Sequence, residues 1–210
     1  MDFWLLSQWQ GFSWILNTRR TMMTTWNHKY TIGKFHLKKP SKRRSGILMP
    51  KVIGIVAHDT GNAGSTAWQN VRYYDRSCDE MSASAHLFVD DKDIIECIPA
   101  LSAPAEKAWH VLYEKTKDNE IFGDDANDVC IGVEWCYGGQ INLTESYKKY
   151  IYTMSYICDR FNIDPLTKIS AHYILDPERK TDPKTPLKLM NKSLDDLKRD
   201  VLNELKACRQ

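Results

Sequence analysis

Apolar and polar positions along this chain switch between two periods. Residues 52–60, VIGIVAHDT, form a short β-branched run that ends in turn formers, which predicts a buried strand. GNAG (61–64) follows as a turn. Residues 65–77, STAWQNVRYYDRS, change to helical spacing: a Ser or Thr cap opens the helix, and Trp68, Val71 and Tyr74 fall near one face. SAHLFVDDKDIIECIP (84–99) places two short apolar runs around DDKD and predicts a hairpin. VCIGVEWCYGG (129–139) predicts a second buried strand. Residues 144–161 return to helical spacing, with Thr144 as the cap and Tyr147, Ile151, Met154 and Ile157 along one side. DLKRDVLNELKA (196–207) predicts a closing amphipathic helix. Residues 100–128 are charged and irregular, as expected of a long functional loop. Strands alternating with helices place the chain in the α/β class, with a central mixed β-sheet flanked by helices.

At 210 residues and 42% hydrophobic content, the chain holds one domain with a real core plus extensions. Charge divides it unevenly. Residues 1–51 carry ten Lys or Arg against one acid, Asp2, a net +9 that leaves −7 for the remainder. The basic stretch KFHLKKPSKRRSG (34–46) reads as a solvated arm, or as a segment attracted to a polyanion such as nucleic acid or a charged cell wall. The boundaries expected are residues 1–46 as N-terminal extension and basic arm, 47–190 as the domain, and 191–210 as a C-terminal helix. The apolar, Trp-rich start (1–23) does not have the form of a signal peptide, because its positive charges follow the apolar run. Gln8, Gln10 and Gly11 interrupt it, so it is too short to span a bilayer. It reads as an interfacial or loosely packed helix, or as an extension upstream of Met22 or Met23. The six cysteines form no CxxC pair and read as reduced, structural residues.

Several chemistries are absent from the motif record: there is no GxSxG, GxxxxGK, GxGxxG or HExxH. Of six histidines, His28 and His36 fall in the basic arm and His86 reads as a satisfied sheet residue. His58 ends a buried strand and enters a glycine turn; His172 follows the short run KIS and enters the loop AHYILDPERKTDPK (171–184). Two strand-end imidazoles with Asp182 make a zinc donor set with a fourth position for water, although a solvated turn has the same composition. Glu134 interrupts an otherwise apolar strand. It either faces solvent at a sheet edge or is buried, which would raise its pKa toward proton transfer at neutral pH. Lys180 is either an ordinary loop cation or positive charge for a developing oxyanion.

IVAHDTGN, SAHLFVDD, KAWH, IGVEWCYGG and SAHYILDPERKTDP, in that order, resemble the zinc-dependent N-acetylmuramoyl-L-alanine amidases of the type 2 amidase family. That family includes phage and prophage endolysins and is akin to peptidoglycan recognition proteins. The resemblance covers residues 47–190 and implies the same α/β fold. It implies Zn2+ held by His58, His172 and Asp182, Glu134 as the catalytic carboxylate, and Lys180 at the oxyanion. It also implies a substrate contact for His110. Some relatives carry a tyrosine where this chain has Ala85, which leaves more of the proton work to Glu134. Trp109, Trp135 and Tyr137 are candidates to line a groove for glycan and peptide, with core packing the competing role for Trp135. The implied reaction is hydrolysis of the amide between N-acetylmuramic acid and L-alanine. A peptidoglycan or muropeptide partner follows, with no nucleic acid, no stable membrane partner and a monomeric chain. The expected course is synthesis in the cytoplasm and action on the wall after lysis or non-classical release. Two alternatives remain open here: a non-catalytic peptidoglycan-binding module of the same fold, and a zinc hydrolase directed to nucleic acid by the basic arm.

Overall fold

The computed structural model describes residues 25–113 and 115–210; the apolar N-terminal run expected as a helix or upstream extension lies outside the described residues. In chain order the elements are β1 (Gly33–Lys34), β2 (Gly54–Asp59), α1 (Ala67–Arg76), β3 (Leu87–Val89), β4 (Ile94–Glu96), α2 (Thr116–Phe122), α3 (Ala126–Val129), β5 (Cys130–Trp135), α4 (Leu143–Phe161), α5 (Pro165–Lys168), β6 (Ile169–Ala171), α6 (His172–Leu175), α7 (Lys184–Leu189) and α8 (Leu194–Cys208). The strands join in one mixed sheet in the order β1-β4-β3-β5-β2-β6. Among the described residues, no helix is long and apolar enough to cross a membrane.

The β-branched run of β2 sits between β5 and β6, parallel to both, and all six of its residues are buried. A parallel strand covered on both faces needs just such a continuous apolar run. Side chains alternate between the two faces. Ile55, Ala57, Val133 and Trp135 point into the larger core, under α4 and α8. Leu197, Val201 and Leu205 supply the apolar stripe of α8, at helical spacing. Burying side chains of this size stabilises by about 1.5–3 kcal/mol each. Val56 and Cys130 face the other side, toward α2 and α3, and Phe88 meets α1 there.

The hairpin of β3 and β4 forms as expected and is tied to its neighbour. Asp90 Oδ1 accepts the Lys92 and Asp93 N–H groups at 2.7 Å each, and its Oδ2 accepts the first N–H of α1, from Ala67, at 2.8 Å. Thr66 and Gln69 close a capping box at the same helix start.

Three expectations need correction. The cap of α4 is Asn142, not Thr144: the extended Asn142 accepts the Glu145 N–H through its side chain, and Thr144 lies inside the first turn. The long segment 100–128 contains α2 and most of α3. The buried Asp118 carboxylate joins them by accepting the Ala126 N–H at 2.9 Å, a contact that no periodicity reveals. The basic stretch 34–46 is no solvated arm either. β1 extends the sheet alongside β4, Leu37 is buried, and its N–H donates to the Cys97 carbonyl. The Arg43 guanidinium is fully buried, bonded to Ser77 and the Ala83 carbonyl, 4.1 Å from the centre of the Tyr74 ring. Arg44 grips Glu106 with two bonds of 2.8 and 2.9 Å. His36, expected in solvent, lies 3.3 Å from the buried Glu96 carboxylate.

Candidate active site

Parallel pairing gathers the chemistry. His58 stands in register with Glu134, and Ala57 with Ala171, so His172 leaves β6 at the same level. The three side chains emerge at the carboxyl ends of adjacent parallel strands, where open α/β sheets hold their sites. Alternation puts them on the face away from α4. Tyr150 anchors this rim from the opposite side: its hydroxyl donates to the His58 carbonyl at 3.0 Å.

Asp182 returns to the same point from the loop after α6. The Asp176 carbonyl shapes that loop by accepting the Arg179 and Lys180 N–H groups at 3.2 and 2.9 Å, while its carboxylate holds the Arg179 side chain at 2.8 Å. The Tyr173 N–H donates to the Asp182 carbonyl at 3.1 Å. Asp182 Oδ2 thereby lies 2.9 Å from His58 Nδ1 and 3.0 Å from His172 Nδ1.

These three residues offer ligand atoms that all lie within 4.8 Å of one another. A tetrahedral zinc with bonds of about 2.0–2.2 Å needs donors about 3.3 Å apart, so small side-chain adjustments accommodate the ion. Glu134 Oε2 is buried beside them and has no hydrogen-bond partner among the described residues. A buried carboxylate oxygen of that kind calls for a proton, a water or a cation. Two imidazoles and one carboxylate, with an orphaned acid nearby, fit a catalytic metal centre with an open position.

Electrostatics divides the roles. Burial opposes charge on His58, but its hydrogen bond to Asp182 and the field of Glu134 raise its pKa. Burial likewise pushes Asp182 up; hydrogen bonds from His172 and His58 outweigh it and hold the carboxyl well below the usual carboxylate range. His172 drops to about 4, chiefly through burial. Without metal, the ionised Asp182 lies between two unequal imidazoles, favouring charge on His58 over His172. Glu134 is driven up to about 8, first by burial; nearby His58 charge opposes the rise and the Asp182 and Asp59 carboxylates add to it. A carboxyl poised near neutrality can take and return a proton.

The site opens into a cavity whose walls include Tyr74, Trp109, Arg179 and Lys180. The Arg179 charge is paired with Asp176, whereas Lys180 forms no ion pair among the described residues. The sequence profile of the N-acetylmuramoyl-L-alanine amidase family matches residues 49–185, more than half of the chain. The chain belongs to that family.

Among curated amidases, the N-acetylmuramoyl-L-alanine amidase BlyA of Bacillus subtilis (strain 168) is 30% identical over 137 residues, 62% of this chain and 36% of BlyA. The N-acetylmuramoyl-L-alanine amidase CwlL of Bacillus licheniformis is 29% identical over 147 residues, 68% of this chain and 39% of CwlL. The chain thus spans well under half the length of these relatives. The solved catalytic domain of XlyA superposes with a TM-score of 0.66 at 22% identity, over 82% of this chain and 99% of that domain, a likeness of fold.

Within this amidase fold, the expected metal and proton-transfer residues converge, and Trp109 stands at the cavity wall. Two other expectations, for Trp135 and Tyr137, are corrected. Trp135 is fully buried on the α4 side, stacked on Tyr150 at 5.1 Å, its indole N–H donating to Ser146 at 2.8 Å. Alternation carried that signal: the residue after Glu134 on a strand must face the other way. Tyr137 is buried beside Thr185 and lies outside the cavity. His110 borders the cavity but has both ring nitrogens engaged, Nδ1 at 3.2 Å from His58 Nε2 and Nε2 at 3.1 Å from the Cys130 carbonyl. It has no free polar atom for a substrate. Tyr74 and Arg179 enter the cavity unforeseen. Tyr74 shares the helical spacing of a core residue, and only the placement of α1 beside the rim turns it toward Glu134.

Proposed function

We propose that this chain is a zinc-dependent N-acetylmuramoyl-L-alanine amidase that hydrolyses the amide between N-acetylmuramic acid and L-alanine in peptidoglycan. The observation that carries this reading is the convergence of His58, His172 and Asp182 beside the unpartnered Glu134 carboxylate. Family membership supplies the substrate class.

His58, His172 and Asp182 would hold the zinc. Bound there, the ion supplies Lewis acidity, polarising an amide carbonyl and acidifying water. Glu134 accepts the proton of the attacking water and returns it to the departing L-alanine amine, which leaves neutral. The Lys180 ammonium faces the cavity and stabilises negative charge on the carbonyl oxygen. Trp109 offers a flat apolar wall for a sugar or peptide face. The cell wall is the place of action: a non-catalytic module would leave the buried Glu134 carboxylate without a task, and family membership speaks against a nucleic-acid substrate.

Mass spectrometry of cell-wall digests tests the bond: the expected product is a newly freed L-alanine amine with intact glycan strands. New reducing sugar ends without that amine would sink the assignment. Glu134→Gln should retain zinc and lose at least about 10²–10⁴-fold in turnover.

A further inference from the structure

We infer that His110 is a positioning residue: it fixes the tautomer and the ring orientation of His58, so that Nδ1 of His58 is the atom presented to the metal. The inference rests on the zinc reading of the site and concerns a residue that contributes no ligand.

Hydrogen-bond logic assigns the protons. A carbonyl oxygen only accepts, so His110 Nε2, at 3.1 Å from the Cys130 carbonyl, must carry a hydrogen. Neutral imidazole has one N–H, which leaves His110 Nδ1 as an acceptor. Its neighbour at 3.2 Å is His58 Nε2, which therefore donates. With Nε2 committed to His110, the Nδ1 of His58, 2.9 Å from Asp182, is the nitrogen turned toward the other two ligand residues and the one that offers its lone pair when a metal takes the place of the shared hydrogen. The Cys130 backbone thus sets the orientation of a ligand on a different strand, through one intervening ring.

The relay is built into the sheet. The His110 ring lies directly on β5, and a Cβ at Gly132 would come within 2.7 Å of its Cγ and 3.0 Å of its Nδ1. Only glycine at 132 lets the imidazole approach the strand closely enough to reach both partners. The His110 N–H donates to Asn127 Oδ1 at 2.9 Å, and the Asn127 side chain returns a bond to the Val111 carbonyl at 3.1 Å, so the backbone that carries the ring is tied to α3. His172 has no such support: its Nε2 is buried without a partner among the described residues. The two histidines are unequal: His58 is held at both ring nitrogens, whereas His172 has a hydrogen-bond partner only at Nδ1 among the described residues.

Two substitutions separate this role from mere packing. His110→Asn keeps an acceptor oxygen where Nδ1 stood; His110→Leu keeps bulk and removes the acceptor. Zinc affinity, measured by competition with a chelator on protein whose fold is checked by circular dichroism, should weaken about 10–100-fold in His110→Leu. In His110→Asn it should stay within about threefold of the starting protein, the conservative replacement acting as the rescue. An independent reading comes from nitrogen NMR of the unsubstituted protein with and without zinc. A coupling across the hydrogen bond between His58 Nε2 and His110 Nδ1 is expected. Its absence, or unchanged zinc affinity in a folded His110→Leu protein, would overturn the inference. If His110→Leu fails to fold, the coupling alone decides. Failure of the unsubstituted protein to bind zinc would instead overturn the amidase reading.

Discussion

His58 and Glu134 are register partners on adjacent parallel strands, so the first metal-site imidazole and the orphaned carboxylate face one cavity from the same level of the sheet. Neither depends on a flexible loop for its position. Only Asp182 does, and its loop is tied down by Asp176 and Tyr173.

Glu134 should cost the metal-free protein stability as pH rises. Its folded pKa of about 8 lies above the 4.5 of an ordinary glutamate. The folded state therefore binds the extra proton between those values, and stability falls with rising pH across that window. Glu134→Gln should match the parent below pH 4.5 and exceed it at pH 8, by on the order of 2 kcal/mol, the scale of one buried charge left unpaired. Thermal melts in chelator at pH 4.5 and 8 measure the gap; equal stability at pH 8 would count against burial as the cause.

Asp182 has the opposite sign. Its depressed pKa contributes stability above the ordinary carboxylate value, lost as pH falls through the folded one. The raised His58 pKa contributes below about 6.5 and is lost as pH rises through its folded value. For metal-free protein, Asp182→Asn should therefore be most destabilising between about pH 4 and 6.5, by about 1–3 kcal/mol. The same variant should bind zinc much more weakly at pH 7.5, as calorimetric titration would record.

Trp109 and Trp135 should part company on mutation. Trp135→Ala removes a buried, stacked indole and should cost about 3–5 kcal/mol, read as a lower denaturation midpoint. Trp109→Ala should leave the midpoint nearly unchanged and lower kcat/KM on cell-wall substrate, since this ring borders the cavity. The reverse pattern would mean that the groove runs elsewhere.

Arg43 belongs to the fold. Arg43→Ala strands the Ser77 and Ala83 acceptors, opens a void beside Tyr74, and should cost about 2–4 kcal/mol in urea unfolding. Exposed Lys42→Ala should be neutral. Comparable stability for the two variants would restore the solvated-arm view.

Local pattern was enough for the elements whose cause is local. The β-branched run of β2, the DDKD turn and the helical spacing of α1 are each set by neighbours within a few residues, and so were readable from the sequence; that the acid in β5 is buried without a partner was not. The order of motifs also pointed to His58, His172 and Asp182 as a set. What only the tertiary structure decided is register and packing across distant segments. One basic run contains both the buried Arg43 and the exposed Lys42, with nothing local to tell them apart. The motif placed His110 beside the cleft, but only the fold showed its ring bridging Cys130 and His58, residues 20 and 52 positions away. Hydrophobic periodicity specifies which face of an element is buried; the partners a polar atom meets there depend on how the strands pair, a property of the whole chain.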